Sequence, residues 1–216
     1  MHPLRFANFA QRPVILCLGA HCDDIEIGCG ATLVRWAREY PGARFVWVVF
    51  ASDEARSAET RAASARLLGP QADVDLRFHG FRDTYMPAQA ERVKDAFNEL
   101  KANVQPDVVL THHLNDRHQD HRLVAELTWN TFRRHLVLEY EIPKYEGDLG
   151  QPNLFVPVAA EDLQRKVDAL IECYVSQRGR DWFTADTFRA LARLRGIECT
   201  APAGFAEAFH GRKLSL

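Results

Sequence analysis

The sequence predicts an α/β fold: a doubly wound, mostly parallel sheet with helices on both faces and a C-terminal extension packing on it. Through the first two-thirds, short apolar runs alternate with longer amphipathic stretches, the pattern of strands joined by right-handed helical crossovers. The chain has 216 residues, 47% hydrophobic and 26% charged, with 12 Gly and 10 Pro. That is the length and composition of a chain able to bury one complete core, so residues 1–216 read as a single domain.

Val14-Ile-Leu-Cys-Leu-Gly19 reads as a buried strand, and Thr32 to Tyr40 as the helix after it, ended by Pro41-Gly42. Phe45-Val-Trp-Val-Val-Phe50 is the second strand, and Ala55 to Leu68, stopped by Gly69-Pro70, the second helix. Val74 to Phe78 gives a weaker third strand. Ala88 to Ala102 reads as a helix with Val93, Phe97 and Leu100 on one face, Val108 to Leu110 as a fourth strand, and Arg122 to Phe132 as a fourth helix. Beyond residue 140 the alternation fails. Pro143, Gly147, Gly150, Pro152 and Pro157 punctuate a loop-and-strand region, followed by helical patterns at Glu161 to Tyr174 and Thr184 to Leu194 and an irregular tail. The order of elements is Rossmann-like, with the last third shaping one side of a cleft.

A net charge of -2 offers no general field for a phosphate backbone, so nucleic acid is not an expected partner. Toward the N-terminus the longest apolar run, Val14 to Ala20, falls short of a membrane span, and the chain reads as soluble and cytoplasmic. Five cysteines without a Cys-x-x-Cys pair indicate neither a disulfide framework nor a thiolate zinc site, consistent with a reducing compartment.

In an open parallel sheet, ligands bind beyond the carboxyl ends of the strands, and two polar clusters fall there. One is Gly19-Ala-His21-Cys-Asp23-Asp24-Ile-Glu26, after the first strand. The other is Thr111-His112-His113-Leu-Asn-Asp116-Arg-His118-Gln-Asp120-His121-Arg122, after the fourth. Imidazoles and carboxylates crowded above a dry sheet are costly unless a cation neutralises them, and two His with one Asp is a common catalytic zinc set. Helix capping by Asp23, Asp24 or Asp120 is the plainer alternative.

These residues carry a resemblance. Ala20-His21-Cys22-Asp23-Asp24, with Glu26 and Gly28, resembles the Ala-His-Pro-Asp-Asp signature of the LmbE/PIG-L family of zinc-dependent N-deacetylases. His118-Gln-Asp120-His121 resembles that family's second motif, His-x-Asp-His, and Arg195-Gly196 with Ala206-Glu-Ala-Phe209 resembles its tail. Cys22 departs from the usual Pro, which loosens the turn and puts a thiol near the metal. The resemblance implies that His21, Asp24 and His121 bind one Zn2+ per chain, and that Asp23 is the general base. It makes His118 the group that steadies the oxyanion or protonates the leaving amine, with Asp120 orienting its ring. Arg56 and Asp83 fall where the family holds substrate hydroxyls or a phosphate. The surface reading of each is as strong. His112, His113 and Asp116 are expected as scaffolding.

The function so implied is removal of an N-acetyl group from an amino sugar or sugar conjugate, the small-molecule partner. Two other classes compete with this reading. A non-haem iron oxidoreductase would use the same two His and one carboxylate, but its usual scaffold is an all-β barrel with His-x-Asp spacing. A sugar-nucleotide-binding module without catalysis would want G-x-G-x-x-G after the first strand, which Gly19, Gly28 and Gly30 do not supply. The oligomeric state is open, since exposed edges of small hydrolases often associate, making a homo-oligomer one of the expected assemblies.

Overall fold

Alternating side chains of the first strand, β1 (Val14–Gly19), point into two different cores, and this sets the layering of the whole molecule. Ile15 and Cys17 join one apolar cluster, while Leu16 and Leu18 join the other. A computed structural model describes residues 12–214, in the order β1, α1 (Asp24–Glu39), β2 (Arg44–Val49), α2 (Glu54–Leu68), β3 (Asp73–Phe78), α3 (Ala90–Asn103), β4 (Val108–His112), α4 (Gln119–Thr131), β5 (Leu136–Tyr140), β6 (Leu154–Val158), α5 (Ala160–Cys173), α6 (Ala185–Glu198) and β7 (Phe205–Gly211). Single turns of 3-10 helix at Met86–Gln89 and Val175–Gln177 precede α3 and follow α5.

The seven strands form one sheet in the order β3-β2-β1-β4-β5-β7-β6. Pairing is parallel from β3 to β5 and antiparallel at β5–β7 and β7–β6. Helices α1, α2, α5 and α6 cover one face through Leu33, Leu67, Leu170 and Phe188, and α3 and α4 cover the other through Phe97 and Val124. The central strands are buried on both faces, as a parallel sheet requires. α1 lies so close to the sheet that a Cβ on Gly28 would stand 2.2 Å from the Tyr140 ring, which only glycine permits.

The sequence expectation of a doubly wound parallel sheet matches this architecture, with differences at particular elements. α1 begins at Asp24, eight residues before the expected Thr32, because its first two turns are buried all round, the acids Asp24 and Glu26 included, and leave no exposed face to set a helical period. The tail is not irregular: β7 inserts between β5 and β6. Pro157 sits in β6, the edge strand, where a missing N–H is tolerated. The five cysteines are free thiols. No helix among the described residues is long and apolar enough to cross a membrane. Residues 1–11 lie outside the described residues.

Candidate active site

β1 and β4 are neighbours, and the chain leaves them toward opposite sides of the sheet. The crevice beyond their carboxyl ends is therefore the switch point of the fold. Both polar clusters open onto it. After β1 the chain turns through residues 20–23 into α1. Asp24, in the first turn, reaches back to accept the His21 N–H at 2.6 Å through Oδ2, much as an N-terminal acid does in a capping box. This leaves Asp23, at the N-cap position, with no capping bond, and its Oδ1 meets Arg56 at 3.1 Å instead. After β4, His118 caps α4: its Nδ1 accepts the backbone N–H of Asp120 at 3.3 Å. A neutral ring then carries its proton on Nε2.

The three expected metal ligands come together. His21 Nδ1 lies 3.1 Å from His121 Nε2 and 3.4 Å from Asp24 Oδ2, and His121 Nε2 lies 3.5 Å from Asp24 Oδ1. The outward nitrogen of each imidazole faces a carboxylate: His121 Nδ1 donates to Asp116 Oδ2 at 2.9 Å, and His21 Nε2 stands 3.0 Å from Asp83 and 3.2 Å from Asp120. The inner nitrogens then face each other and Asp24 within the reach of one shared cation. This donor set fits a divalent metal with nitrogen and oxygen ligands, each histidine steadied by an outer carboxylate. Donor atoms also converge in the overlapping groups His21, His118 and His121; Asp24, His112 and His121; and His21, Asp83 and Asp120.

Charge follows the same logic. Burial pulls His21 down, but Asp24, Asp120 and Asp83 outweigh it and lift the ring well above its ordinary range. Burial, reinforced by His112, drops His121 to about 3, so its ring is neutral. Burial pushes Asp24 up, yet the three imidazoles around it hold it well below the carboxylate range. Asp23 goes the other way: burial raises it, and Asp24 adds to the rise against the pull of Arg56. Adjacent carboxylates thus differ, Asp24 a committed anion and Asp23 a readier proton acceptor. Burial and the neighbouring His21 lower His118.

The Asp120 carboxylate does not orient the His118 ring, as the family resemblance had implied. It accepts the N–H groups of Thr84 at 2.7 Å and Met86 at 3.1 Å and faces His21, because a side chain at this first-turn position points off α4 toward the loop after β3. Only its backbone amide meets His118. Nor does the Cys22 thiol approach the cluster: it faces the Ala51 carbonyl at 3.8 Å, and burial pushes it up to about 12. Arg56 bridges Asp23 and, at 3.6 Å, Asp83, which is half exposed at the mouth. Hydrogen bonds and charge from His21 outweigh burial and bring Asp83 to about 2. Burial pushes Glu26 well above its ordinary value, and its Oε1 is in hydrogen-bond contact with the Tyr174 hydroxyl.

Several residues set aside as scaffolding or left unmentioned join the site. Asp116 orients His121 and, through Oδ1, accepts the backbone N–H of His118 at 2.8 Å, and half-buried Lys144 pairs with it at 3.0 Å. An acid preceding two histidines was the available signal for Asp116; Lys144, 28 residues away, offered none. His112 is a strut: its Nε2 accepts the Ala20 N–H at 2.9 Å. His113 leaves the site for Glu139 at 2.8 Å. Arg195, in the tail that resembles the family's, is buried against Glu141 at 2.7 Å.

Residues 16–132 match the family model PIG-L, described as GlcNAc-PI de-N-acetylase. The chain is 32% identical to the uncharacterized deacetylase YaiS of Escherichia coli (strain K12), over 74% of this chain and 90% of that protein. Among solved structures it is similar in fold to N,N'-diacetylchitobiose deacetylase from Pyrococcus horikoshii (TM-score 0.71, 22% identity, 93% of this chain and 84% of that one). It is also similar to GalB, the 4-carboxy-2-hydroxymuconate hydratase of Pseudomonas putida KT2440 (TM-score 0.70, 18% identity, 94% and 98%). One fold thus serves a deacetylase and a hydratase, and such distant likeness carries the architecture alone. The family match and the Escherichia coli relative carry more, and on them the chain belongs to the PIG-L (LmbE-like) family of deacetylases.

Proposed function

We propose that this chain is a zinc-dependent N-deacetylase, a single cytoplasmic domain that hydrolyses the acetamide of an N-acetylated amino sugar or sugar conjugate. The observation that carries this reading is the pair of facing imidazole nitrogens, His21 Nδ1 and His121 Nε2, 3.1 Å apart beside Asp24. Bound by His21, Asp24 and His121, a zinc ion would polarise the amide carbonyl and lower the pKa of water toward neutrality.

The chain's own residues supply the rest. Asp23, buried and free of the helix cap, takes the proton of the attacking water. Nε2–H of His118 donates to the oxygen on which negative charge develops, with the ring held by the Asp120 amide. Protonation of the departing amine falls to the proton Asp23 has gained or to His118. Arg56 and Asp83, paired across the mouth, are the groups proposed to hold sugar hydroxyls, and Asp120 sets the loop that presents Asp83 by holding Thr84 and Met86. A buried carboxylate beside the ligand set, free of the helix cap and paired with Arg56, favours catalysis over a passive sugar-nucleotide site. Family membership favours hydrolysis over iron oxidation.

Acetate release by zinc-loaded protein from N-acetylglucosamine, its nucleotide-diphosphate form and its disaccharide tests the proposal. One equivalent of acetate per free amine is expected from at least one member. No release from any of them, by protein carrying one metal per chain, would overturn it.

A further inference from the structure

The connection between β1 and α1 carries both the base and two metal ligands on four consecutive residues, His21 to Asp24. Its conformation therefore sets the whole site, and it has Cys22 where the family usually has Pro. A proline would fix φ at that residue. The structure holds Cys22 differently. Its carbonyl accepts the Thr60 hydroxyl, from α2, at 2.8 Å, and the Tyr174 hydroxyl, from the end of α5. The Tyr174 oxygen is also 3.3 Å from Thr60 Oγ1 and in hydrogen-bond contact with Glu26. Tyr174, Thr60 and Glu26 are fully buried, and Tyr174 lies outside the residues matched by the family model.

We propose that Tyr174, together with Thr60, is a positioning residue for this loop: the two hydroxyls pin the Cys22 carbonyl and so fix the peptide that joins His21 to Asp23 and Asp24. A carbonyl held by two donors cannot swing, and the following residue cannot turn with it. Rotation of that one peptide would carry Asp23 away from the reacting water and tilt His21 relative to Asp24. The C-terminal third thereby supplies, through one phenol, rigidity that a proline would otherwise provide within the loop. The inference rests on the metal-site reading proposed above, but its main readout does not require turnover.

Tyr174→Phe keeps the ring and its burial and removes only the hydroxyl. Metal affinity of the apo protein, measured by competition with a chromophoric chelator, is expected to weaken about tenfold, the low end of what outer partners of a metal site contribute. The visible spectrum of the cobalt-substituted protein should change, and kcat should fall with KM nearly constant. Adding Cys22→Pro to Tyr174→Phe should restore most of the lost affinity, a rescue that mere packing would not produce. Wild-type affinity and cobalt spectrum in Tyr174→Phe, with lowered thermal stability alone, would overturn the proposal. Should that variant not fold, Thr60→Val carries the same expectation, and unchanged affinity there overturns it equally. Metal binding that follows these expectations in a protein releasing no acetate would leave the positioning role standing and sink the deacetylase reading.

Discussion

In the C-terminal third, Lys166 meets Glu207 at 2.6 Å and Arg195 meets Glu141 at 2.7 Å, each cation seated on a carboxylate, whereas beyond β1 and β4 the carboxylates of Asp23, Asp24, Asp116 and Asp120 crowd around imidazoles that face one another. The first kind of burial is complete in itself. Lys166 also donates to the Ile27 carbonyl, and Glu207 accepts the N–H groups of Ala31 and Thr32, so the pair fastens α5 and β7 to α1. The second kind brings two ring nitrogens face to face beside a carboxylate and pushes adjacent Asp23 and Asp24 in opposite directions. Matched buried charge is structural, and mismatched buried charge marks the place where a cation and a reaction belong.

Removing a ligand should break this contrast most severely. His121→Ala is expected to lose most of its metal and with it the activity, while the fold persists, measured by elemental analysis alongside circular dichroism. Unchanged metal content would exclude the ligand set. Loss of His118 should be smaller: His118→Ala slows kcat by about 10²-fold while metal content stays near one per chain, since this ring holds developing charge and is not among the proposed ligands. Near wild-type turnover on the true substrate would make it a helix cap and nothing more.

On the other side of the comparison, Arg195→Met should cost stability and spare chemistry. It strands Glu141 in the interior, an effect of about 3–5 kcal/mol, read as a fall in Tm with the metal still bound. A variant as stable as the parent would show that Glu141 finds another partner. The smallest effect is one of pH. Burial pushes Glu139 up, but hydrogen bonds from His113, Arg212, Leu114 and Trp129 bring it to about 2, below its ordinary 4.5. Its contribution is therefore present above 4.5 and is lost as pH falls toward 2, and Glu139→Gln should flatten the acid limb of a stability–pH curve there.

The first four strands, their helices and both polar clusters were legible because a central parallel strand reads as an unbroken apolar run and its ligand-bearing loop as a sudden polar one. Val14–Gly19 and the residues that follow it are the plainest case. What the sequence withheld was long-range. Strand β5 hides in Leu136–Tyr140 because Glu139 interrupts it with a buried charge, whose partner Arg212 stands 73 residues on. Lys144, Tyr174 and the insertion of β7 all depend on contacts that no local period encodes. The destination of the Asp120 carboxylate is hidden for the same reason, since Thr84 and Met86 reach it from another loop.

The central claim is that Asp23 and Asp24, adjacent and alike, have been given different work, and parallel metal titration and single-turnover kinetics of Asp23→Asn and Asp24→Asn test it most directly. Asp23→Asn leaves His21, Asp24 and His121 intact, so it should bind metal as the parent does and lose about 10²- to 10⁴-fold in kcat. Asp24→Asn removes the charge of a ligand, so metal occupancy and activity should fall together. Metal lost from Asp23→Asn but kept by Asp24→Asn would reverse the two roles, and full activity in both would contradict the hydrolase account itself.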